Sequence, residues 1–295
     1  MASENYSIKD LEKLSGIKAH TIRIWEKRYG VIRPERTKTN IRYYSNEDLK
    51  KLLNFSLLNQ HGFKISVISL MSATEIAQKI SAITISDLKD SYCIEENLLL
   101  SLIDMDENRF NKAFNTMILH YGFEGAMGKV IFPFFNRIGI MWQTGAINPA
   151  QEHFFSNLIR SKIIIATEGL IQTPVVNKEV ALLFLPEQEL HEIALLLYNY
   201  LLRARGYKTI YLGQAVPADS LSRVIKISKP DYIVSSMTNP VNSQDFNSFS
   251  KMLSKYAPTA KIFFAGPIPA DIIPHGRTKN TFLIKDLLEI LKVEI

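Results

Sequence analysis

Glu189 and His191 stand two residues apart in ALLFLPEQELHEIALLLYNYLLRARGY, the stretch from Ala181 to Tyr207. The apolar run ending at Pro186 looks like a buried strand, so the pair falls at a strand's carboxyl end. One reading makes the stretch a helix start: Glu187, Glu189 and Glu192 complement the dipole of a helix beginning near Leu190, and His191 is a polar surface residue. The other makes the pair a functional site. A second candidate lies upstream, where Trp142 is followed, after nine intervening residues, by Glu152-His153. Singly, the tryptophan reads as core and the other two as surface polarity. The third candidate is a row of Arg and Tyr in the first quarter, whose chemistry would be phosphate neutralisation and groove contact.

Charge separates these candidates. Residues 1–74 hold 13 Lys+Arg against 7 Asp+Glu, and the whole chain of 295 residues carries a formal net charge of +6, so the remaining chain is neutral. A basic module on a neutral body predicts that this module binds a polyanion. The length suits two or three domains. No apolar run approaches a membrane span, and MASENYSIKD lacks the apolar core of a signal peptide. The single cysteine, Cys93, excludes an internal disulfide and a cysteine-based metal cluster and fits a reducing cytoplasm.

The elements that must carry the basic row are short. Ile8, Leu11 and Leu14 give a small amphipathic helix with Ser7 as N-cap, and Gly16-Ile17 breaks it. KAHTIRIWEKRYG resumes a helical pattern, with Ile22 and Trp25 inward and Thr21, Arg23, Lys27 and Arg28 on the polar face. A Pro-led basic loop carries Arg36, Asn40, Arg42 and Tyr43. Ser45 then caps a third helix, with Asp48 at its third position. The run Tyr6-Ser7-Ile8, Leu11, Gly16-Ile17, Thr21-Ile22-Arg23, Trp25-Glu26, Arg28-Tyr29-Gly30, Pro34, Arg36-Thr37, Asn40, Arg42, Tyr44-Ser45 and Asp48-Leu49 resembles the winged-helix DNA-binding domain of the MerR family of transcription regulators. The resemblance implies the second helix in the major groove and the wing on adjacent phosphates. Thr21 and Arg23 are then the base readers, and Arg28, Tyr29, Arg36, Thr37, Asn40, Arg42 and Tyr43 the remaining DNA contacts. The alternative reading of Glu26 is a simple pair with a nearby arginine.

Beyond a polar stretch at 72–91, read as helix end plus linker, the apolar period is helical to about residue 171. Four segments joined by short breaks predict a bundle. From Val180 the pattern changes to VALLFLP, TIYLG, DYIVSSM, KIFFAGP and TFLI, separated by helical stretches. That is βαβ alternation and predicts a parallel sheet covered on both faces. Ligands of such sheets bind beyond the strands' carboxyl ends, where His191, Ser236 and Gly266 fall.

Glu189-Leu190-His191-Glu192-Ile193-Ala194, followed by Ser236-Met237-Thr238 and then by Ala265-Gly266, resembles the cobalamin-binding domain of methionine synthase, corrinoid proteins and some mutases.

 41 residues lie between Ala194 and Ser236, and 26 between Thr238 and Ala265. In that family the histidine is the lower axial cobalt ligand, its other ring nitrogen held by the carboxylate. The serine and glycine positions, here Ser236, Thr238, Ala265 and Gly266, line a slot for the displaced nucleotide tail. Trp142 with Glu152-His153 is similar to the signature of adenosylcobalamin photoreceptors of the CarH type, in which a helical cap meets the adenosyl face. This chain departs from the pattern at Ala194, Thr238 and Ala265, where the family has glycine, leucine and glycine. It departs again at Gln143, where the photoreceptors carry the histidine that caps cobalt after illumination.

Together these readings predict a multidomain chain: a winged helix-turn-helix at 1–75, a linker at 76–93, a helical-bundle cap at 94–175 and a doubly wound, flavodoxin- or Rossmann-like parallel sheet at 176–295. The expected function is a cytoplasmic DNA-binding regulator, a repressor rather than an enzyme, that acts on double-stranded operator DNA as a homo-oligomer, dimer or tetramer. Cobalamin, in the adenosyl form, is the expected cofactor, His191 its metal ligand, and light a candidate signal. The alternatives are a cobalamin-independent regulator working through a protein partner and a corrinoid methyl carrier.

Overall fold

A computed structural model describes the chain except for residues 1–5, 38–39, 61, 83–90, 144–146, 171–173, 239–242, 267, 269–279 and 294–295. It divides into two compact units, 1–155 and 156–294.

The first unit begins with α1 (Ile8–Ser15), whose N-terminus is closed by a reciprocal Ser7–Asp10 capping box. Gly16, at φ 70°, ends it in the left-handed conformation that glycine adopts without strain. Helix α2 (Ala19–Tyr29) buries Ile22 and Trp25, as its apolar spacing requires. The wing is a two-stranded antiparallel ribbon of β1 (Glu35–Arg36) and β2 (Arg42–Tyr43). A bridge between Tyr6 and Tyr44 joins the start of the chain to the ribbon's exit. Ser45 and Asp48 cap each other at the head of α3 (Asn46–Gln60). The short α4 (Ile65–Ile68) follows, and then α5 (Ala73–Ala82).

Residues 76–82 of the expected linker therefore belong to α5, and 91–93 to α6 (Ser91–Asp104); the intervening 83–90 lie outside the described residues. The cause is local: Ser72 and Glu75 cap each other through Ser72 N–H to the carboxylate at 2.7 Å and Glu75 N–H to the hydroxyl at 3.2 Å. The bundle continues with α7 (Glu107–Ala126), a π-helical stretch (Met127–Ile131), α8 (Phe132–Gln143) and α9 (Pro149–Glu168). Gly122 kinks α7 at φ 65°, ψ 176°. Phe110, Phe134 and Phe135 surround Phe155 at centroid distances of 5.5, 5.1 and 5.5 Å. Burying such a ring is worth about 1.5–3 kcal/mol. The division between the units falls inside α9, between residues 155 and 156.

The second unit holds β3 (Val180–Pro186), α10 (Ile193–Ala204), β4 (Lys208–Val216), α11 (Ala218–Ser228), β5 (Tyr232–Ser236), α12 (Ser243–Tyr256), β6 (Lys261–Ala265), β7 (Thr281–Leu283) and α13 (Ile284–Ile290). All strand pairs are parallel, in the order β4-β3-β5-β6-β7. That is the doubly wound, flavodoxin-like arrangement, and the order reverses between β3 and β5. The central β3 and β5 are buried along nearly their whole length, which explains their continuous apolar spelling.

The carboxyl ends of β5 and β6 approach through Gly266. Its φ is 111°, and a Cβ there would lie 1.7 Å from the carbonyl oxygen of Met237. Met237 N–H in turn donates to the Ala265 carbonyl at 3.0 Å. Gly266→Ala must therefore distort the backbone or part the two strand ends. The expected loss is about 2–4 kcal/mol, seen as a drop of roughly 5–15 °C in the melting of this unit by calorimetry.

Candidate functional site

The loop between β3 and α10 reaches the switch point of the sheet. Helix α10 begins at Ile193, so Glu189 and His191 precede it, and Glu189 serves the loop instead of the helix dipole. Glu189 N–H donates to the Pro186 carbonyl at 2.9 Å, and Ala215 N–H of β4 to the Glu189 carbonyl at 3.2 Å. Those backbone bonds turn the Glu189 side chain inward, where the residue is only 5% exposed.

A buried carboxylate needs donors, and Glu189 has four. Its Oε1 accepts from His191 N–H at 2.9 Å and from the ring Nδ1 at 2.6 Å. Its Oε2 accepts from Thr238 N–H at 2.6 Å and from the Thr238 hydroxyl at 2.9 Å. Burial pushes this carboxyl upward, but the Thr238 and His191 hydrogen bonds outweigh it and hold the group down to about 2. With the carboxylate ionised, Nδ1 carries the imidazole proton, and the Thr238 oxygen, 2.8 Å from Nδ1, lies close enough to share it. Nε2 is left with its lone pair on a side chain 66% exposed. A single imidazole cannot enclose a metal ion, and no group of three or more His, Cys, Asp or Glu that could do so occurs among the described residues. It suits a metal already held by a macrocycle and wanting an axial donor.

Of the other expected site residues in this unit, Ser236 and Ala265 are buried opposite one another at the ends of β5 and β6, and Gly266 is exposed just beyond. Thr238 has a place that sequence spacing does not reveal, because it joins the carboxylate and the imidazole directly. Ala194 lies in the first turn of α10. In the first unit, Glu152 and His153 lie in the first turn of α9, and their side chains pair at 2.8 Å. The helix start is fixed by Asn148 and Gln151, which cap each other, and by Gln151 Nε2, which donates to the Ile103 carbonyl at 2.9 Å. Trp142 and Gln143 end α8, and their side chains lie outside the described residues.

On α2 the exposed face carries Arg23, Ile24, Lys27 and Arg28, while Thr21 is half-buried. Ile24 is 51% exposed among these cations, and sequence reading missed it. The signal was its position, off the stripe defined by Ile22 and Trp25. Arg28 lies over the Tyr29 ring at 5.4 Å. The wing residues are tied to one another: Arg36 donates to Asn40 Oδ1 at 2.6 Å, and the Tyr43 hydroxyl to Glu35 at 2.5 Å. Thr37 Oγ1 accepts from Ile41 N–H at 3.1 Å. Glu26 of α2 accepts from Arg42 and from the Tyr44 hydroxyl, each at 3.3 Å, and so fastens the wing to the helix.

Comparison with known proteins finds two matched regions, the second of which runs across the boundary at residue 155. Residues 6–74 match the MerR HTH family regulatory protein family, and residues 94–166 match the B12 binding domain. The chain is 27% identical over 265 residues to the HTH-type transcriptional repressor CarH of Myxococcus xanthus, covering 88% of this chain and 87% of the relative. It is 24% identical over 243 residues to the repressor CarA of the same organism, covering 82% and 79%. The monomethylamine corrinoid protein of Methanosarcina barkeri shares the fold, with a TM-score of 0.53 at 16% identity, over 67% of this chain and 98% of that one.

The Glu189 network has a pH signature. The folded carboxyl sits at about 2, below the unfolded value of about 4.3. Its stabilisation is therefore complete above about pH 5 and is lost as the pH falls toward 2. Glu189→Gln should lower stability at pH 7 by about 2–3 kcal/mol, with the gap to wild type closing toward pH 2. Urea unfolding at pH 7, 5 and 3 measures it; a gap independent of pH would contradict the ionised, donor-rich state.

Proposed function

We propose that this chain, which joins a MerR-type helix-turn-helix domain to a B12 binding domain, is a repressor whose grip on operator DNA is set by bound adenosylcobalamin. The observation that carries this reading is the Glu189–Thr238–His191 network, which leaves one imidazole nitrogen free beyond the strand ends. The residues fit the group: a lone axial donor with its tautomer fixed, and beside it Gly266, a strand end without a side chain. Cobalamin supplies a cobalt held by a macrocycle and, in the adenosyl form, a light-sensitive cobalt–carbon bond.

In this reading His191 Nε2 is the lower ligand, and Glu189 and Thr238 hold the ring. Ser236, Thr238, Ala265 and Gly266 line the tail slot. Trp142, Glu152 and His153 are assigned to the upper face. Residues 1–75 are the reader, 94–175 the cap and 176–295 the cofactor domain of a cytoplasmic regulator that is not an enzyme. Arg23, Lys27 and Arg28 meet DNA first, since their charges stand on the exposed face of α2, with the wing set alongside by Glu26. One reader makes too few phosphate contacts for a stable specific complex, so the chain binds as a homo-oligomer, at least a dimer. A cofactor shifts such an equilibrium only by its differential affinity for two states, and the adenosyl group supplies that difference at the cap.

Full-length protein mixed with adenosylcobalamin in the dark should stay red after desalting, with a His-ligated spectrum. His191→Ala should lose that spectrum, and Glu189→Gln should weaken affinity roughly ten- to hundredfold. Identical spectra for wild type and His191→Ala would remove the axial role. Green light on the loaded wild type should change its elution volume on size exclusion; bleaching with no such change would remove light as the signal.

For DNA, Arg23→Ala and Lys27→Ala should each weaken binding and reduce the slope of log affinity against log salt by about 1. Unchanged slopes in a gel-shift titration would take this face of α2 off the phosphates.

A further inference from the structure

Glu192 follows the histidine directly and has no part in the site described so far. It stands at the N-cap position of α10 and is nevertheless 5% exposed, an unusual place for a carboxylate. Its Oε1 accepts from Arg160 Nε at 2.6 Å and its Oε2 from the Tyr211 hydroxyl at 2.7 Å. Burial pushes the Tyr211 phenol upward, and its bond to the Glu192 carboxylate adds to the rise, so it stays a donor at all ordinary pH.

The origin of each anchor matters. Before the histidine, Ala215 N–H holds the Glu189 carbonyl and Gln214 Nε2 holds the Leu190 carbonyl at 2.5 Å. Both come from β4, as does Tyr211, and Thr238 comes from the end of β5. Arg160 differs, because it brings α9 to a loop whose other named anchors all come from the sheet. It is also the charged partner, and a guanidinium–carboxylate bond of this length is among the stronger hydrogen bonds a protein makes.

We propose that Arg160 is a positioning residue for His191. Through Glu192 it holds the peptide that carries the imidazole, so a shift of α9 alters the lower axial bond, and the state of that bond is felt by α9. The proposal rests on the reading of His191 as the axial ligand.

Arg160→Ala, Arg160→Lys and Glu192→Gln in the full-length chain test it, by two independent readouts. The first is hydrogen exchange without cofactor. In Arg160→Ala, peptides spanning 187–193 should exchange at least tenfold faster than wild type, while β3 and the second half of α10 keep wild-type rates. Arg160→Lys should recover much of the protection. The second is dark loading with adenosylcobalamin, where Arg160→Ala and Glu192→Gln should bind roughly tenfold more weakly and with a smaller His-ligated fraction. Faster exchange spread over the whole unit would mean a merely structural role and would overturn the proposal. So would a wild type that loads normally alongside an Arg160→Ala chain with unchanged spectrum, affinity and exchange. A wild type that takes up no cobalamin would instead sink the reading of the site, and the axial link with it.

Discussion

A carboxylate taken out of water must find donors or lose its charge, and much of the second unit is arranged around that requirement at Glu189. Its four donors come from two places, the peptide and ring of His191 and the peptide and hydroxyl of Thr238. Thr238 can be there only because Met237 is packed onto the end of β6, and that packing needs a residue with no Cβ at Gly266. The glycine, the strand register, the threonine and the carboxylate thus form one chain of dependence that ends at an imidazole with a single free nitrogen. Each link is a steric or hydrogen-bonding necessity.

A related pairing of an acid with a basic partner recurs in the first unit, where the acid is half-buried. Glu26 lies on the helix that carries the exposed cations, yet it faces the wing and holds Arg42 and Tyr44. Paired with the wing's arginine, it ties the wing to α2 and leaves Arg23, Lys27 and Arg28 as that helix's outward charge. The basic surplus of the first quarter is therefore partly structural, Arg42 being paired within the fold.

How much of this was legible in the sequence depended on the range of the interaction. Apolar periodicity gave Ile22 and Trp25 their burial, and short β-branched runs gave the parallel sheet, because burial repeats along each element. The Ser45–Asp48 cap was readable at a spacing of three. The equivalent Ser72–Glu75 pair carries the same spelling, so α5 was legible too, although the stretch reads as polar linker when only apolar spacing is followed. The pairing of Glu189 with His191 was visible as sequence proximity. Thr238 and Arg160 were not, since they meet this loop from 49 and 32 residues away, and no periodicity records such contacts.

Thr238 shows why a departure from a family pattern has to be argued in place. Set against a leucine, a threonine at a strand end looks like a loss of apolar lining. Here its hydroxyl is a donor to the carboxylate and a neighbour of Nδ1. An aliphatic side chain would leave Oε2 with the backbone N–H alone, and a buried acceptor short of a donor costs about 1–3 kcal/mol. The polar residue therefore strengthens the ionised state of Glu189 and the Nδ1–H tautomer that depends on it. That tautomer is what leaves Nε2 as a lone-pair donor facing away from the protein. What reads as a lost apolar contact is, in the hydrogen-bond geometry, support for the orientation and tautomer of the His191 ring.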